Sequence, residues 1–405
     1  MPSGLQQRWK VLIAGVAANV AFSVVVGGIP ATAVYLRASY QMSDATLAVA
    51  LGILGLGIAL SEIPWGLLTD RWGDRPVLLT GLSSVALTLL VLALLADRAP
   101  SGIGLSLGLL VAGLLGSSVN GASGRAIMLW FAQEQRGLAM SIRQTAVPGG
   151  YALGAVLLPW LAHGYGFKAV FTVAAGLCLL SAGLVWYWVH EPPQATAGST
   201  ARLDSPLRDA QVWRSVAAIS LLCAPQFAVL TGAALFLHDA LGLGITTVSI
   251  ILALVQVGAV VGRLWSGRWT DRHNNRDAYL KGCALATAAA FALLGFAAHW
   301  LPGGSGLTQG LLALLMLLAG VTTSIWHGVG YAQLATRAGA QRSGTALAMG
   351  NTGVFLVLFA TPIVATATVS HWGWGWLWGL CALCGLIAAR LFAPEVRSVG
   401  TLDPA

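Results

Sequence analysis

Charge is what this sequence lacks most. Of its 405 residues only 9% are Asp, Glu, Lys or Arg, against about 25% in an ordinary soluble domain. A chain of this length folded in water would form two or three domains and would need far more surface charge. The 57% hydrophobic content and the mean hydropathy of +0.78 therefore set most of the surface against an apolar medium. Acidic residues are the scarcer sign, 14 against 22 Lys and Arg, for a formal net charge of +8. The basic residues stand in short clusters between apolar runs and not in one stripe, so the expected partner is a lipid bilayer and not nucleic acid. Cysteine is sparse as well: five residues, all inside apolar stretches. Cys381 and Cys384 form a C-x-x-C, but no second pair or nearby histidine completes a zinc site. There is no G-x-x-x-x-G-K-[ST] phosphate loop and no zinc-protease signature. The chain is accordingly expected to be no enzyme, to hydrolyse no ATP and to carry no cofactor or metal.

Long apolar runs, by contrast, are everywhere. A helix needs about 20 apolar residues to cross the hydrocarbon core, and scanning at that length gives twelve spans. They fall near 9–36, 46–68, 77–96, 103–132, 137–162 and 168–189, then near 213–238, 246–266, 279–300, 308–336, 343–369 and 374–392. The first run exceeds the ~7–15 apolar residues of a signal-peptide core, so it reads as a retained helix. The longest polar interruption, "HEPPQATAGSTARLDSPLRDAQ", lies near the middle and has a linker's composition. The expected architecture is an all-α membrane protein with a six-helix bundle over 1–189, a cytoplasmic linker over 190–212 and a second six-helix bundle over 213–405.

Positive charge sets the orientation. With both termini cytoplasmic, sixteen Lys and Arg fall in inside segments, including Arg8, Lys10, Arg136, Arg202, Arg337 and Arg397. Only Arg37, Arg98 and Lys168 fall outside. That asymmetry is the positive-inside pattern. Trp9, Trp160, Trp300 and Trp372 sit near span ends, where interfacial aromatics belong.

The halves repeat. Shifting the chain by about 201 residues lays "GLLTDR" (66–71) on "GRWTDR" (267–272). A shift of about 207 lays Gly137, Gln144 and Thr145 on Gly344, Asn351 and Thr352. Internal repeats of this kind build many secondary transporters, with the site at their interface. "GLLTDRWGDR" resembles the loop signature of the major facilitator superfamily through Gly66, Leu68, Asp70, Arg71, Gly73 and Arg75. Asp74 stands where that pattern has a basic residue, and the second copy keeps Gly267, Asp271 and Arg272. The resemblance implies the major facilitator fold, two six-helix bundles related by a pseudo-two-fold axis. It also implies that this cluster latches the halves in the outward-facing state. The residues carry a physical logic of their own. Gly66 allows close helix approach, and Asp70 at a helix end can accept hydrogen bonds from free N–H groups at a neighbouring helix start.

Charges within spans cost roughly 2.5–3.5 kcal/mol each on insertion scales, so each needs a reason. Glu62 and Arg263 are repeat mates, eight residues and about 12 Å up the helix from their loop aspartates. "GRLWSG" resembles the helix-8 arginine motif of nitrate/nitrite porters and several carboxylate transporters. "SEIPWG" is similar in layout to the matching nitrate-porter helix but has Glu62 in place of arginine, which disfavours a double-arginine nitrate clamp. Arg263 is read as binding a carboxylate or similar anion in bidentate fashion. Glu62 is read as taking up a proton; the competing reading is an ion pair between the two or snorkelling to the surface. Arg125 is a candidate second anion contact or a partner for Glu62, and Arg143 a candidate for the gate network. Asn120, Gln144, Gln226, Gln256, Asn351 and Tyr331 are candidate cavity polar groups, and His327 a titrating one. Gly66, Asp70, Arg71, Gly73, Arg75, Gly267, Asp271 and Arg272 complete the gate set.

The function expected is secondary active transport of a small organic anion, a carboxylate, coupled to protons by alternating access. The alternative is a proton-driven efflux antiporter for drugs or metabolites; a receptor that binds without transport is disfavoured by the short tails. The expected setting is a bacterial inner membrane, the partner a small-molecule substrate, and the working unit a monomer.

Overall fold

The computed structural model describes residues 4–97, 101–190, 205–301 and 305–392. Most of the expected linker, with Arg202, lies outside the described residues, as do Arg98 and Arg397. Fourteen α-helices are described. The first seven are α1 (Gly4–Ala31), α2 (Ala33–Tyr40), α3 (Asp44–Trp72), α4 (Asp74–Ala96), α5 (Gly102–Gly116), α6 (Ser118–Trp130) and α7 (Arg136–Trp188). The second seven are α8 (Ala210–Leu235), α9 (Ile245–His273), α10 (Arg276–Trp300), α11 (Gly306–Thr322), α12 (His327–Ala338), α13 (Ser343–Trp372) and α14 (Trp374–Leu391).

Eleven stretches among the described residues are long and apolar enough to cross a membrane, and one of them crosses twice. The 53 residues of α7 would reach about 80 Å as a straight helix at 1.5 Å per residue, more than twice a ~30 Å hydrocarbon core. The chain folds back at Gly166, whose φ of 72° and ψ of −178° suit only a residue without Cβ. The two expected spans at 137–162 and 168–189 therefore join through a single residue. Other spans break once: at Thr32 between α1 and α2, at Ser117 between α5 and α6, and over 323–326 between α11 and α12. Helix starts are set by side chains that accept backbone N–H bonds, namely Ser43, Ser101, Asp209 and Ser305.

The core has three main parts, and their arrangement positions the site. One packs the first six spans together, around Phe22, Leu54, Leu89 and Phe171. Another packs part of the second six, around Phe236, Phe291 and Trp378. The third is shared: Met128 and Met140 of the first half pack with Trp326, Val329 and Leu347 of the second. The shared part lies toward the end of the bundle where α3 and α9 finish, just past Asp70 and Asp271. There the two halves are joined.

Candidate functional site

At that end Asp70, two residues from the end of α3, accepts hydrogen bonds from the backbone N–H groups of Gly344 (3.0 Å) and Thr345 (2.9 Å) at the start of α13. Asp271, near the end of α9, does the same for Gly137 (2.9 Å) and Leu138 (2.8 Å) at the start of α7. Each aspartate belongs to one half and each helix start to the other. A carboxylate on the first free N–H groups of a helix meets both their hydrogen-bonding need and the positive end of the dipole. The two offsets in the sequence, 201 for the aspartates and 207 for the glycines, are thus the two sides of one contact used twice.

Close approach completes the seal. A Cβ on Gly66 would lie 2.6 Å from Ala348 Cβ, and one on Gly267 would lie 2.6 Å from the Gly137 carbonyl oxygen. Overpacking of this kind costs about 1–3 kcal/mol. Gly66→Val is accordingly expected to shift the population away from this closed arrangement about five- to 150-fold. Spin labels at Arg71→Cys and Arg342→Cys would report it as a longer interlabel distance; an unchanged distribution would contradict the close-packing account.

Beyond the seal, on the side away from Asp70, lies a cavity of about 810 Å³ between the halves. Its wall includes Val257 and Val261, which are 59% and 60% exposed. Arg143 of α7 and Arg263 of α9 both line it. Arg143 donates to Ser123 Oγ (2.9 Å), Asn19 Oδ1 (3.3 Å) and the Asn120 carbonyl. Arg263 donates to the carbonyls of Ser324 (2.9 Å) and, across the halves, Gln144 (2.8 Å). These bonds hold both guanidinium planes and leave Arg143 Nη1 and Arg263 Nη2 without an acceptor among the described residues. Neither arginine has a carboxylate within 4.0 Å among the described residues. Two buried cations, one per half, thus face the same space without a direct ion pair among the described residues.

Glu62 lies behind the cavity wall, fully buried. Its Oε1 accepts from Asn120 Nδ2 of α6 (2.6 Å) and its Oε2 from Asn351 Nδ2 of α13 (3.3 Å). The first bond stays within a half and the second crosses to the other. Asn120 leads on to Arg143 through its carbonyl, and Asn351 Oδ1 accepts from Tyr331 Oη (2.8 Å). The carboxylate therefore sits one residue away from both a cavity cation and a cavity phenol.

The structure brings most of the candidate set together and separates some of it. Asn120, Gln144, Gln226, Gln256, His327, Tyr331 and Asn351 all line the cavity with Arg263. Gln226 Nε2 donates to Ser324 Oγ (3.2 Å), and the His327 ring stacks on Trp326 with its Nδ1 3.1 Å from the Ser324 carbonyl oxygen. Arg125 does not line it: its guanidinium lies at the seal, 3.4 Å from Asp70 and 3.0 Å from Asp74. Arg143, expected at the gate, lines the cavity instead. Glu62 and Arg263 form no ion pair, and neither do Glu62 and Arg125. Arg71 and Arg272 are exposed. Arg75 turns back within its own half, donating to the Trp186 carbonyl (2.8 Å) and stacking over that ring. Gly73, with φ of 90°, forms the one-residue turn between α3 and α4. Residues not singled out from sequence include Arg276, which bonds Asp271 at 2.8 Å, and Ser123, which holds Arg143 together with Asn19, a polar residue that the sequence does show in mid-span. Depth was the available signal for Arg143: it lies seven residues into its helix, level with Gln144 and with the repeat mates Glu62 and Arg263.

Two equivalent helical halves, sealed at one end over a central polar cavity, define a membrane transporter built for a small-molecule substrate. The chain belongs to the Major Facilitator Superfamily, whose family model matches residues 11–307 and 217–402. It is 29% identical over 409 residues to an uncharacterized MFS-type transporter of Mycobacterium tuberculosis (strain CDC 1551 / Oshkosh), covering 98% of this chain and 88% of that one. A part of it is 26% identical over 171 residues to the probable galactarate/D-glucarate transporter GudP of Escherichia coli (strain K12), covering 39% and 38% of the two chains. Among solved structures, the proton:xylose symporter XylE bound to 6-bromo-6-deoxy-D-glucose superposes with a TM-score of 0.76 at 17% identity, covering 96% and 95% of the chains. That last likeness is one of fold.

Proposed function

We propose that this transporter moves a small organic carboxylate together with protons, by alternating access. The observation that carries the reading is the pair of buried arginines in a shared cavity, one from each half, each with a free nitrogen and no carboxylate within 4.0 Å among the described residues, against the single acid Glu62. Two buried cations against one acid leave a net positive charge, which is costly to bury, and a carboxylate bridging the two arginines would satisfy both by charge-assisted hydrogen bonds. Partial similarity to a probable galactarate/D-glucarate transporter supports an organic acid as the cargo. Arg125, with Asp70 and Asp74, then belongs to the gate and not to the substrate site.

Glu62 supplies the proton coupling in this reading. With Glu62 ionised, the three central groups sum to +1; with it protonated they sum to +2. Protonation thus strengthens the hold on an anion, and by reciprocity a bound anion favours the proton. Both then travel in the same direction. Carboxylate affinity is expected to rise as pH falls, over the range in which the ligand itself stays ionised. With the termini cytoplasmic, as the basic loops argue, the described state faces outward, and similarity to transporters of bacteria supports a bacterial inner membrane as its setting.

The test is uptake of labelled carboxylates into proteoliposomes under an imposed inward proton gradient. Accumulation above the equilibrium level that collapses with a protonophore is the expected result. The apolar upper walls of the cavity favour one other reading, export of lipophilic cations, and in that case only cations would move, outward and against protons.

A further inference from the structure

The charged groups occupy one level of the cavity only. Counting along each helix from the seal, Arg143, Gln144, Arg263 and Asn351 stand seven or eight residues in, which defines a polar floor. On α13, Val354, Phe355 and Leu358 lie three to seven residues beyond Asn351, reaching about 10 Å above it at 1.5 Å per residue. On α9, Val260 and Val257 lie three and six residues beyond Arg263, or about 4.5–9 Å. On α7, Val147 lies four residues beyond Arg143. All six line the cavity. At that height there is no second arginine or lysine in the lining. The polar side chains beyond the floor are the amides of Gln226, tied to Ser324, and Gln256, the His327 ring, and the hydroxyls of Ser23, Tyr151 and Thr145, the last tied to the Ile142 carbonyl.

A collar of this kind selects for a particular cargo shape. A diacid such as galactarate or glucarate has a carboxylate at each end and hydroxyls between. With one carboxylate on the floor, its second charge and its hydroxyls would sit among Val260, Val354, Phe355 and Leu358. Polar groups desolvated without partners are costly. An acid with one carboxylate and an apolar body loses nothing there and gains from burial of that body. We infer that the preferred substrate is an amphipathic monocarboxylate, its headgroup between Arg143 and Arg263 and its aliphatic or aromatic body in the collar, and that polyhydroxylated diacids are discriminated against. The inference rests on the anion reading of the site and narrows it.

The experiment is calorimetric titration of the detergent-purified full chain with straight-chain monocarboxylates from acetate to octanoate, with benzoate, and with glucarate and galactarate. Heats are referenced to the Arg143→Gln/Arg263→Gln double variant, which corrects for partition into micelles. The expected result is a rise in affinity of about fourfold per added methylene until the tail outgrows the collar, with benzoate tighter than acetate and both diacids at least about tenfold weaker than the best monocarboxylate. Leu358→Asn and Val260→Ser are expected to flatten the series, the loss growing with chain length. A flat series in the wild type, or glucarate as the tightest ligand, overturns the collar inference and leaves the anion site standing. Absence of binding by any carboxylate removes the anion reading and this inference with it.

Discussion

Replacing Arg263 by glutamine is expected to cut carboxylate affinity by at least about 30-fold, because truncating one member of a buried charge pair costs some 2–5 kcal/mol. Arg263 meets the cavity with one nitrogen only, the other two being held by the Ser324 and Gln144 carbonyls. The loss should therefore fall on ligand affinity and on uptake alike. Arg143→Gln is expected to behave in parallel, since Arg143 is held by Ser123, Asn19 and the Asn120 carbonyl in the same manner. Lysine at either position should restore charge without the fork, and so recover only part of the affinity. Calorimetry on each variant, with circular dichroism to verify the fold, checks this. If both single variants bind carboxylates as the wild type does, the arginines are structural.

Replacing Glu62 by glutamine has the second large effect, of a different kind. Glutamine keeps the volume and keeps one acceptor for Asn120 or Asn351, but it has no proton to carry. Exchange of labelled for unlabelled carboxylate across a proteoliposome membrane should persist, while uphill accumulation driven by a pH difference should be lost. The magnitude is set by thermodynamics: one pH unit is about 1.4 kcal/mol per proton, or tenfold in accumulation at one proton per substrate. The rise in carboxylate affinity at low pH should vanish too, the variant binding at all pH values as the protonated wild type does. Glu62→Gln protein that still accumulates substrate tenfold per pH unit would move the proton site elsewhere, with His327 the next group on the cavity wall to replace.

Much of this organisation was legible in the chain itself. The loop aspartates and the glycines at 137 and 344 are punctuation that survives in both halves because each pair makes the same contact, a carboxylate over the start of a helix. Twelve crossings follow from run length alone. The exchange of places between Arg125 and Arg143 was not legible, and the reason is geometric. In a helix apolar on nearly every side, periodicity does not report which face a lone polar residue presents, and here one face meets the cavity, another the seal and a third lipid. Asp74, which departs from the loop signature, provided the missing information: an acid there gives Arg125 a partner at the seal, leaving Arg143 to the cavity. The separation of Glu62 from Arg263 was hidden likewise, since repeat mates are equal in depth but are held apart by the amides of Asn120, Asn351 and the Gln144 backbone. The breaks at Ser117 and over 323–326 lie inside apolar runs and do not interrupt the hydropathy signal that locates a span.

The most direct test of the central claim, an anion site between Arg143 and Arg263, is the thermal stability of the purified protein against carboxylates, inorganic anions and lipophilic cations, at two pH values. A ligand that binds the folded state raises its apparent stability by mass action, by about 2.7 kcal/mol at a hundred times its Kd. The account predicts stabilisation by carboxylates, larger at the lower pH while they stay ionised, and lost in Arg263→Gln. Stabilisation by lipophilic cations alone, lost in Glu62→Gln and retained in Arg263→Gln, would contradict it.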